Sequence, residues 1–319
     1  MTFEARVGKF LFVNLFYGGR KLKKTTKGIL AALIANIIFG FSFIFSKQAL
    51  NFAEPLIILT VRFFVSFVSL NVFMLFSKQK IALRGKPKTR LIVMAIAQPF
   101  LYFIFELYGL SMVSSALSGV IIALVPVVVT IFSGVFLKEK PTKLQLLFTI
   151  IALIAVSVIS IISNDGTKNY ALGVVLLALA VICAAIFNIS SRAISNVYTP
   201  FERTYIMFLM AFFGFLITSF YKYKSGLFSA VFEAACEPQF LIAILYLSVL
   251  SSVLAFLLYN YSTTTVSAIQ SASFSNIIPV VTVLAGVLLL KEHFSIVEYL
   301  LCAIVVLSVW GVNFFVKKY

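Results

Sequence analysis

The sequence predicts an all-α integral membrane protein with ten transmembrane helices, arranged as two five-helix repeats of inverted topology. Its composition, its number of apolar runs and a repeated stretch all lead to this fold class. Hydrophobic residues make up 62% of the 319 residues and charged residues 11%, and the mean hydropathy is +1.10. So few polar side chains cannot cover the surface of a water-soluble protein of this length. We therefore expect the chain to lie in a lipid bilayer.

The second observation is the number of apolar runs. A helix that crosses a bilayer needs about 20 predominantly apolar residues. Runs of about this length predict ten helices, at residues 28–47, 56–77, 91–110, 115–137, 143–163, 171–191, 203–221, 240–260, 264–290 and 295–316. The longest external segment, residues 222–239, is expected either to hold a short surface helix or to stay a solvated loop.

The third observation is an internal repeat. Residues 108–140 align without a gap with residues 261–293, and each copy holds one proline and ends in Lys-Glu. The preceding helices also align, in a different register. Five helices is an odd number, so the second repeat must enter the membrane from the opposite side. The matched positions are Pro126/Pro279, Lys138/Lys291 and Glu139/Glu292 at an offset of 153, and Gly28/Gly173, Ser46/Ser191, Lys47/Arg192, Asn51/Asn196 and Pro55/Pro200 at an offset of 145.

The repeat sets the expected domain boundaries. Residues 1–26 form a cytoplasmic or interfacial extension, 27–163 the first repeat, 164–170 an external linker and 171–319 the second repeat. Most of the 26 Lys and Arg residues fall in segments that share a side with both termini. Because basic loops stay in the cytoplasm, both termini are predicted to be cytoplasmic, in a multi-pass protein of the cytoplasmic membrane. The net charge is +16. Because the Lys and Arg residues lie in segments between the spans, this charge does not indicate that the protein binds nucleic acid.

Enzymatic and metal-dependent functions find little support in the sequence. It holds three cysteines and one histidine, and their positions suggest neither a disulfide nor a metal site. No cluster of His, Asp and Glu offers acid–base chemistry. We expect no enzyme activity and no cofactor.

Two charged residues fall well inside the predicted spans, away from their ends, namely Arg62 and Glu106. A charge in the hydrocarbon region is costly, so each is a candidate functional residue. At a rise of about 1.5 Å per residue, the two lie at similar depths below the external face. Glu106 could accept a proton, bind a cationic or zwitterionic substrate, or simply pair with Arg62. For Arg62 we favour a structural role.

Gln98, Tyr102 and Glu106 recur every four residues on one face of the third predicted helix, beside Pro99. A face that points to lipid would not carry this set, so it is expected to point into the bundle. These residues either line a site or bond neighbouring helices. In the second repeat, Tyr259 stands at the position of Glu106, so the acid is not duplicated. The candidate substrate-binding or coupling residues are Glu106, Tyr102, Gln98, Asn188, Tyr259, Asn276 and Gln270.

Small residues recur every four positions on the fourth and ninth predicted helices, which lets helices approach closely. Pro126 and Pro279 are expected to bend these helices, and a hinge for gating is the sharper hypothesis. The Lys-Glu pairs are interpreted as interface anchors or gate ion pairs. The candidate structural or gating residues are Arg62, Pro126, Pro279, Gly119, Lys138, Glu139, Lys291 and Glu292.

These features resemble the EamA-type branch of the drug/metabolite transporter superfamily. Residues 39–43, Phe-Gly-Phe-Ser-Phe, and Lys47 resemble its first-helix motif, and Arg62-Phe63 resembles its second-helix arginine. The family often has Trp where Phe39 stands. The resemblance runs from about Lys27 to Lys317 and implies a carrier for small metabolites, by export, while leaving the substrate open.

The combined prediction is a secondary transporter that works by alternating access. Its expected partners are the lipid bilayer and a small solute that is amino-acid-like, amphipathic or cationic, and it would act as a monomer or homodimer. Two other functions stay open, a membrane channel and a non-transporting membrane scaffold. A channel would need a continuous polar pore, whereas the polar residues here are scattered singly among apolar ones.

Overall fold

The described part of the chain is helical. The computed structural model describes residues 24–77, 79–136, 142–162, 169–266, 271–272, 274–291 and 295–314. Within these residues the helices are α1 (Lys24–Ala49), α2 (Pro55–Ser77), α3 (Thr89–Met112), α4 (Ser115–Ile122), α5 (Val125–Phe136), α6 (Lys143–Ile162), α7 (Tyr170–Ala193), α8 (Pro200–Tyr223), α9 (Leu227–Ala235), α10 (Pro238–Thr265), α11 (Ile277–Leu289) and α12 (Ile296–Phe314).

The membrane-spanning character of these helices is confirmed by length and composition. Eight helical segments of the described residues are long and apolar enough to cross a bilayer. Two shorter apolar helices, Phe274–Leu289 and Ile296–Gly311, stand where the ninth and tenth spans were predicted. The segment between α8 and α10 holds the surface helix α9. The protein is therefore a multi-pass membrane protein.

One predicted boundary is wrong. The eighth span was expected to end at residue 260 and the ninth to begin at 264, but α10 continues to Thr265 and Val266 has an extended backbone. The last turn of α10 is made of hydroxyl residues, which a search for apolar runs leaves out. Their hydroxyls bond back to carbonyls of the preceding turn, as from Thr263 Oγ1 to Asn260 O at 2.9 Å, which completes the helix end.

The two halves share their helix bounds. Pro55 begins α2 and Pro200 begins α8. Proline is favoured at the first position of a helix, because the N–H that it lacks would have no partner within the helix there. The last part of α3, Tyr102–Met112, corresponds residue for residue to the last part of α10, Ala255–Thr265, at the offset of 153. An extended valine, Val113 or Val266, follows each of them. The repeat seen in the sequence is thus also a repeat of backbone conformation at these helix ends.

Each half packs mainly against the other half. Helix α1 contacts α10 and α11, and its counterpart α7 contacts α3 and α5 in the equivalent way. Two glycines mark the close approach. A methyl group on Gly28 would overlap the Thr265 side chain, and one on Gly173 would lie 2.8 Å from the Met112 Cβ. Since Thr265 and Met112 are equivalent positions, the two contacts are the same contact made twice.

Helices α2 and α8, one from each half, pack against each other. Phe63 of α2 lies between Phe208 and Phe215 of α8, with ring centroids 5.4 and 5.2 Å apart. The Thr60 and Ser219 hydroxyls form a hydrogen bond of 2.6 Å across the same interface. Aromatic rings with large apolar area hold this pair together along its length.

The fourth predicted helix is interrupted before its proline. Helix α4 ends at Ile122 and α5 begins at Val125, so Pro126 stands in the first turn of α5. Pro279 stands likewise in the first turn of α11, after the 3₁₀ turn Phe274–Asn276. A proline lacks the N–H needed in a helix interior, which explains both positions. Four candidate residues lie outside the described residues, namely Lys138, Glu139, Gln270 and Glu292.

Candidate functional site

A cavity lies between the two halves, at the middle of the spans. It has a volume of about 60 Å³, taken as the space open to the centres of water molecules. One water needs about 10–15 Å³ on this measure, so the cavity has room for several waters or a small solute. The lining residues are Asn36, Phe39, Ser42, Phe43, Gln98, Tyr102, Phe103, Glu106, Ile122, Val125, Ala184, Phe187, Asn188, Phe256, Tyr259, Ser275 and Ile278.

Helix α3 brings Gln98, Tyr102 and Glu106 to the cavity together, as their spacing predicted. The helix is not regular at this place, because Gln98 has φ −146° and ψ 125°. The proline that follows disfavours helical backbone at the residue before it, which accounts for this local break. All three side chains are buried. The predicted face of α3 therefore points into the protein.

Most lining positions occur as equivalent pairs, one from each half. This follows from the two offsets and was not seen in the sequence, where only polar residues drew attention. The two repeats therefore contribute equivalent positions to the cavity wall. The side chains at these positions differ between the halves. The pairs are Phe39/Ala184, Ser42/Phe187, Phe43/Asn188, Phe103/Phe256, Glu106/Tyr259, Ile122/Ser275 and Val125/Ile278.

Glu106 is buried, with 2% of its surface exposed, and its Oε2 atom has no hydrogen-bond partner. The similar depths of Arg62 and Glu106 allowed an ion pair between them. No such pair forms within 4.0 Å. Arg62 instead donates from Nε to Ser252 Oγ at 3.0 Å and from a terminal nitrogen to Ser251 Oγ at 3.2 Å. Its guanidinium also lies 4.1 Å from the centroid of the Phe103 ring. Arg62 thus joins α2 to α10, while the Glu106 carboxylate is left facing the cavity.

Asn188 and Tyr259, two further candidates, meet in the second half. The Tyr259 hydroxyl donates to Asn188 Oδ1 at 2.6 Å, and Asn188 Nδ2 donates to Ala184 O at 2.8 Å. Asn36 makes the same kind of bond, because its Nδ2 donates to Ala32 O at 2.7 Å. These bonds fix the amides against their own helices, and each uses one of the two N–H groups of its amide.

The remaining described candidates lie away from the cavity. Gly119 packs against α11, where a methyl group on it would lie 2.7 Å from the Thr282 Cβ. Asn276 ends the turn before α11, and its Oδ1 is buried without a partner. Lys291 follows α11, is exposed and has φ 55°. Gly119 thus lets α4 approach α11 closely and does not line the cavity.

The sequence missed a second buried arginine. Arg203, the first residue of the seventh predicted span, is fully buried in the first turn of α8. Its terminal nitrogens donate to Ser191 Oγ at 2.7 Å, Thr263 Oγ1 at 2.9 Å and Asn260 O at 2.5 Å. The polar run from Ser262 to Thr265 at the end of α10 was the signal that could have indicated a buried polar cluster there. Two charges within the spans was therefore an undercount.

Lys47 and Arg192, matched in the sequence, make equivalent contacts. Lys47 Nζ donates to Leu110 O at 3.0 Å, and Arg192 donates to Thr263 O at 2.8 Å. Leu110 and Thr263 are equivalent positions in the last turns of α3 and α10. A cation that bonds the free carbonyls of a helix C-terminus is favourable for the helix dipole. The first-helix motif thus ends in a residue that caps a neighbouring helix of the same half.

Comparisons with known proteins agree with this architecture. The sequence matches the EamA-like transporter family over residues 26–161 and again over 171–314. A Bacillus subtilis (strain 168) protein named uncharacterized transporter YcxC is 31% identical over 295 residues, which cover 92% of this chain and 95% of that protein. Uncharacterized transporter YetK of the same organism is 27% identical over 294 residues, covering 91% and 87%.

The fold also matches a solved structure. A chain described as a crystal structure of protein superposes with a TM-score of 0.64 at 14% identity, covering 91% of this chain and 98% of that chain. At this identity the likeness concerns the fold alone.

Proposed function

Because this chain belongs to the EamA-like transporter family, we propose that it is a secondary transporter that moves a small solute across the cytoplasmic membrane by alternating access, in the outward direction. The observation that carries the proposal is the cavity between the halves, lined by equivalent positions of both. Two halves of equal fold around one site can exchange conformations, so that the site opens to each side in turn.

Inverted topology of the halves is part of the proposal. With ten spans and five per repeat, the second half enters the membrane from the opposite side. The contacts support this arrangement, because residues assigned to the same side meet. Lys86 of the segment after α2 pairs with Glu202 at the start of α8, and Glu54 before α2 pairs with Lys222 at the end of α8. The basic segments put both termini in the cytoplasm.

Within this scheme the residues take distinct roles. Glu106 is the coupling or substrate-binding acid, with Gln98, Tyr102, Asn188 and Tyr259 around it. The interruption before Pro126 and the turn before Pro279 are places where helices could bend as the cavity opens. The repeats extend over 27–163 and 171–319, with a monomer or homodimer as the functional unit.

Cysteine accessibility tests the proposal without knowledge of the substrate. In a variant with Cys183, Cys236 and Cys302 replaced by serine, Ser42→Cys places one thiol in the cavity. We expect a membrane-impermeant thiol reagent to label it from either side, in right-side-out and in inside-out vesicles. The matched controls are Lys80→Cys and Lys224→Cys, both exposed, which should each be labelled from one side and from opposite sides.

Two results would contradict the proposal. Labelling of Lys80→Cys and Lys224→Cys from the same compartment would remove the inverted topology. Labelling of the Ser42→Cys thiol from one side alone, with the controls behaving as expected, would remove alternating access and favour a scaffold. An ion conductance that does not saturate would indicate a channel instead.

A further inference from the structure

We propose that the cavity binds a small organic amine in its protonated form, with the ammonium group against the Glu106 carboxylate and no place for a carboxylate on the ligand. This assignment rests on the proposed transport function and names the substrate class of the same site. It follows from the state of Glu106, the rings around the cavity, the lack of basic residues in its described lining and the size of the cavity.

The Glu106 carboxylate lacks a cation. Its side chain is 2% exposed, Oε2 has no hydrogen-bond partner, and no other charged residue lines the described part of the cavity. Arg62 attracts the carboxylate from a longer distance, but its hydrogen bonds and ring contact go to Ser251, Ser252 and Phe103. A buried carboxylate oxygen that no group contacts directly is costly, so it binds either a proton or a cationic ligand. A cation in the cavity would supply the missing partner.

Aromatic rings surround the space beside this carboxylate. Phe39 and Phe256 have centroids 5.2 Å apart, and Phe187 lies 6.0 Å from both Phe256 and Tyr259. Phe103 adjoins the array, 6.2 Å from Phe256, and the Arg62 guanidinium lies over its ring. The faces of such rings attract an ammonium group, and their apolar area accommodates the hydrocarbon part of an amine. The array therefore fits a cation with an apolar body.

Several polar groups of the cavity already donate hydrogen bonds within the protein, and none of the described lining residues is basic. The amide nitrogens of Asn36 and Asn188 donate to carbonyls of their own helices, and the Ser42 hydroxyl donates to Phe39 O at 2.6 Å. The Tyr259 hydroxyl donates to Asn188. The Ser275 hydroxyl is buried without a partner, and Lys and Arg are absent from the residues that line the described cavity. A ligand carboxylate would be buried there without a cation, which disfavours amino acids and organic acids.

Size limits the ligand further. About 60 Å³ is open to water centres, which corresponds to roughly four to six waters. This space suits an amine with a few carbon atoms. A bulky dye or a nucleoside would not fit without a large opening of the cavity.

A matched set of probes tests the assignment. Isoamylamine, leucine and 4-methylpentanoate share one branched alkyl chain. Isoamylamine carries an amine, 4-methylpentanoate carries a carboxylate, and leucine carries both groups. We expect isoamylamine to raise the unfolding temperature of the purified protein in detergent, as a ligand of the folded state does, and the other two to leave it unchanged. Glu106→Gln should weaken amine affinity by about tenfold or more, because a hydrogen bond to a charged partner is lost.

Two variants make the test specific. Glu233→Gln makes the same change at an exposed acid of α9 and should bind isoamylamine like the parent protein. The Ser42→Cys protein, which keeps Glu106, should be protected from a thiol reagent by isoamylamine and not by leucine. This second measurement stands even where the Glu106→Gln protein fails to fold.

The assignment is overturned if leucine or 4-methylpentanoate stabilises or protects as well as the amine, if isoamylamine does neither at millimolar concentration, or if a folded Glu106→Gln protein keeps its amine affinity. These results leave the transporter proposal intact, because that proposal depends on labelling from both sides in the absence of any ligand. A transporter that binds leucine would be a carrier with a different substrate.

Discussion

The two ends of the α2–α8 pair are held by ion pairs in very different surroundings. At the start of α8, Glu202 is buried and accepts from Lys86 Nζ at 2.8 Å and from the Ala82 backbone nitrogen at 3.0 Å. At the opposite end, the Glu54 and Lys222 side chains meet at 2.5 Å with 59% and 44% of their surfaces exposed. An exposed pair contributes about 0–1 kcal/mol, whereas a buried carboxylate that loses its partners costs several times more.

The same contrast continues between the equivalent helix ends. Arg203 bonds Ser191, Asn260 and Thr263 in the second half, and the corresponding positions of Arg203, Asn260 and Thr263 in the first half are Ile58, Leu107 and Leu110, which are buried and apolar. The two halves have the same arrangement of helices, but the equivalent helix ends differ in polarity. At the polar end, the bonds from Lys86 and Ala82 to the buried Glu202 also join the first half to the second. In the proposed transporter, we therefore expect closure at the start of α8, on the cytoplasmic side, to be the more stable one.

The largest expected effect comes from removing the buried acid. Glu202→Ala removes the ion pair with Lys86, the bond from Ala82 and the capping bond from the Thr199 backbone, so we expect a loss of about 3 kcal/mol of unfolding free energy. The matched variant Glu54→Ala should cost less than about 1 kcal/mol. Thermal unfolding in detergent measures both, and equal losses would show that the two ends do not differ.

A smaller effect is expected from the buried arginine. Arg203→Met removes the donors to Ser191, Asn260 and Thr263 while keeping much of the apolar volume, and should cost about 1–2 kcal/mol. Ile58→Met changes the equivalent position of the apolar end and should cost less than about 1.5 kcal/mol. The same unfolding measurement compares them. A neutral or stabilising Arg203→Met would mean that burial of the charge outweighs its hydrogen bonds.

The smallest effect concerns pH at the exposed end. Hydrogen bonds from Lys222 and Tyr223 lower the pKa of Glu54 below its ordinary value of 4.5. The folded protein then holds the proton less tightly than the unfolded chain, so the stabilisation is present above pH 4.5 and is lost as pH falls through the lowered pKa. We expect a contribution of less than about 1 kcal/mol, since water screens this pair.

Comparison with Glu54→Gln isolates that contribution. The difference in unfolding midpoint between the parent protein and this variant should shrink below pH 4 and stay constant from pH 6 to 8. A difference that persists at low pH would assign the stabilisation to contacts other than the ionised carboxylate.

Much of the fold followed from the sequence because membrane helices are set by apolar length and short loops. Pro55 and Pro200 begin equivalent helices where the offset of 145 placed them. The spacing of Gln98, Tyr102 and Glu106 was enough to predict a shared face, since residues four apart lie on one side of a helix. The end of α10 was missed because hydroxyl residues continue a helix without adding hydropathy.

The partners of buried charges could not be predicted in the same way. Arg62 and Glu106 have similar depths, but the rotation of α2 about its axis turns the guanidinium to Ser251 and Ser252. The position of Arg203 at the edge of a span resembled that of a loop residue, and its burial depends on the ends of α7 and α10. Depth follows from counting residues along one helix, whereas contacts between helices depend on how several helices pack.

The second half carries Tyr259 where the first carries Glu106, and this single substitution has a consequence for energetics. Of the described residues that line the cavity, Glu106 alone bears a charge. If the acid carries an amine cation in one direction and a proton in the other, each cycle moves one positive charge each way. Such an exchange is electroneutral, so the electrical potential of the membrane would not drive it and the proton concentration gradient would supply the driving force alone.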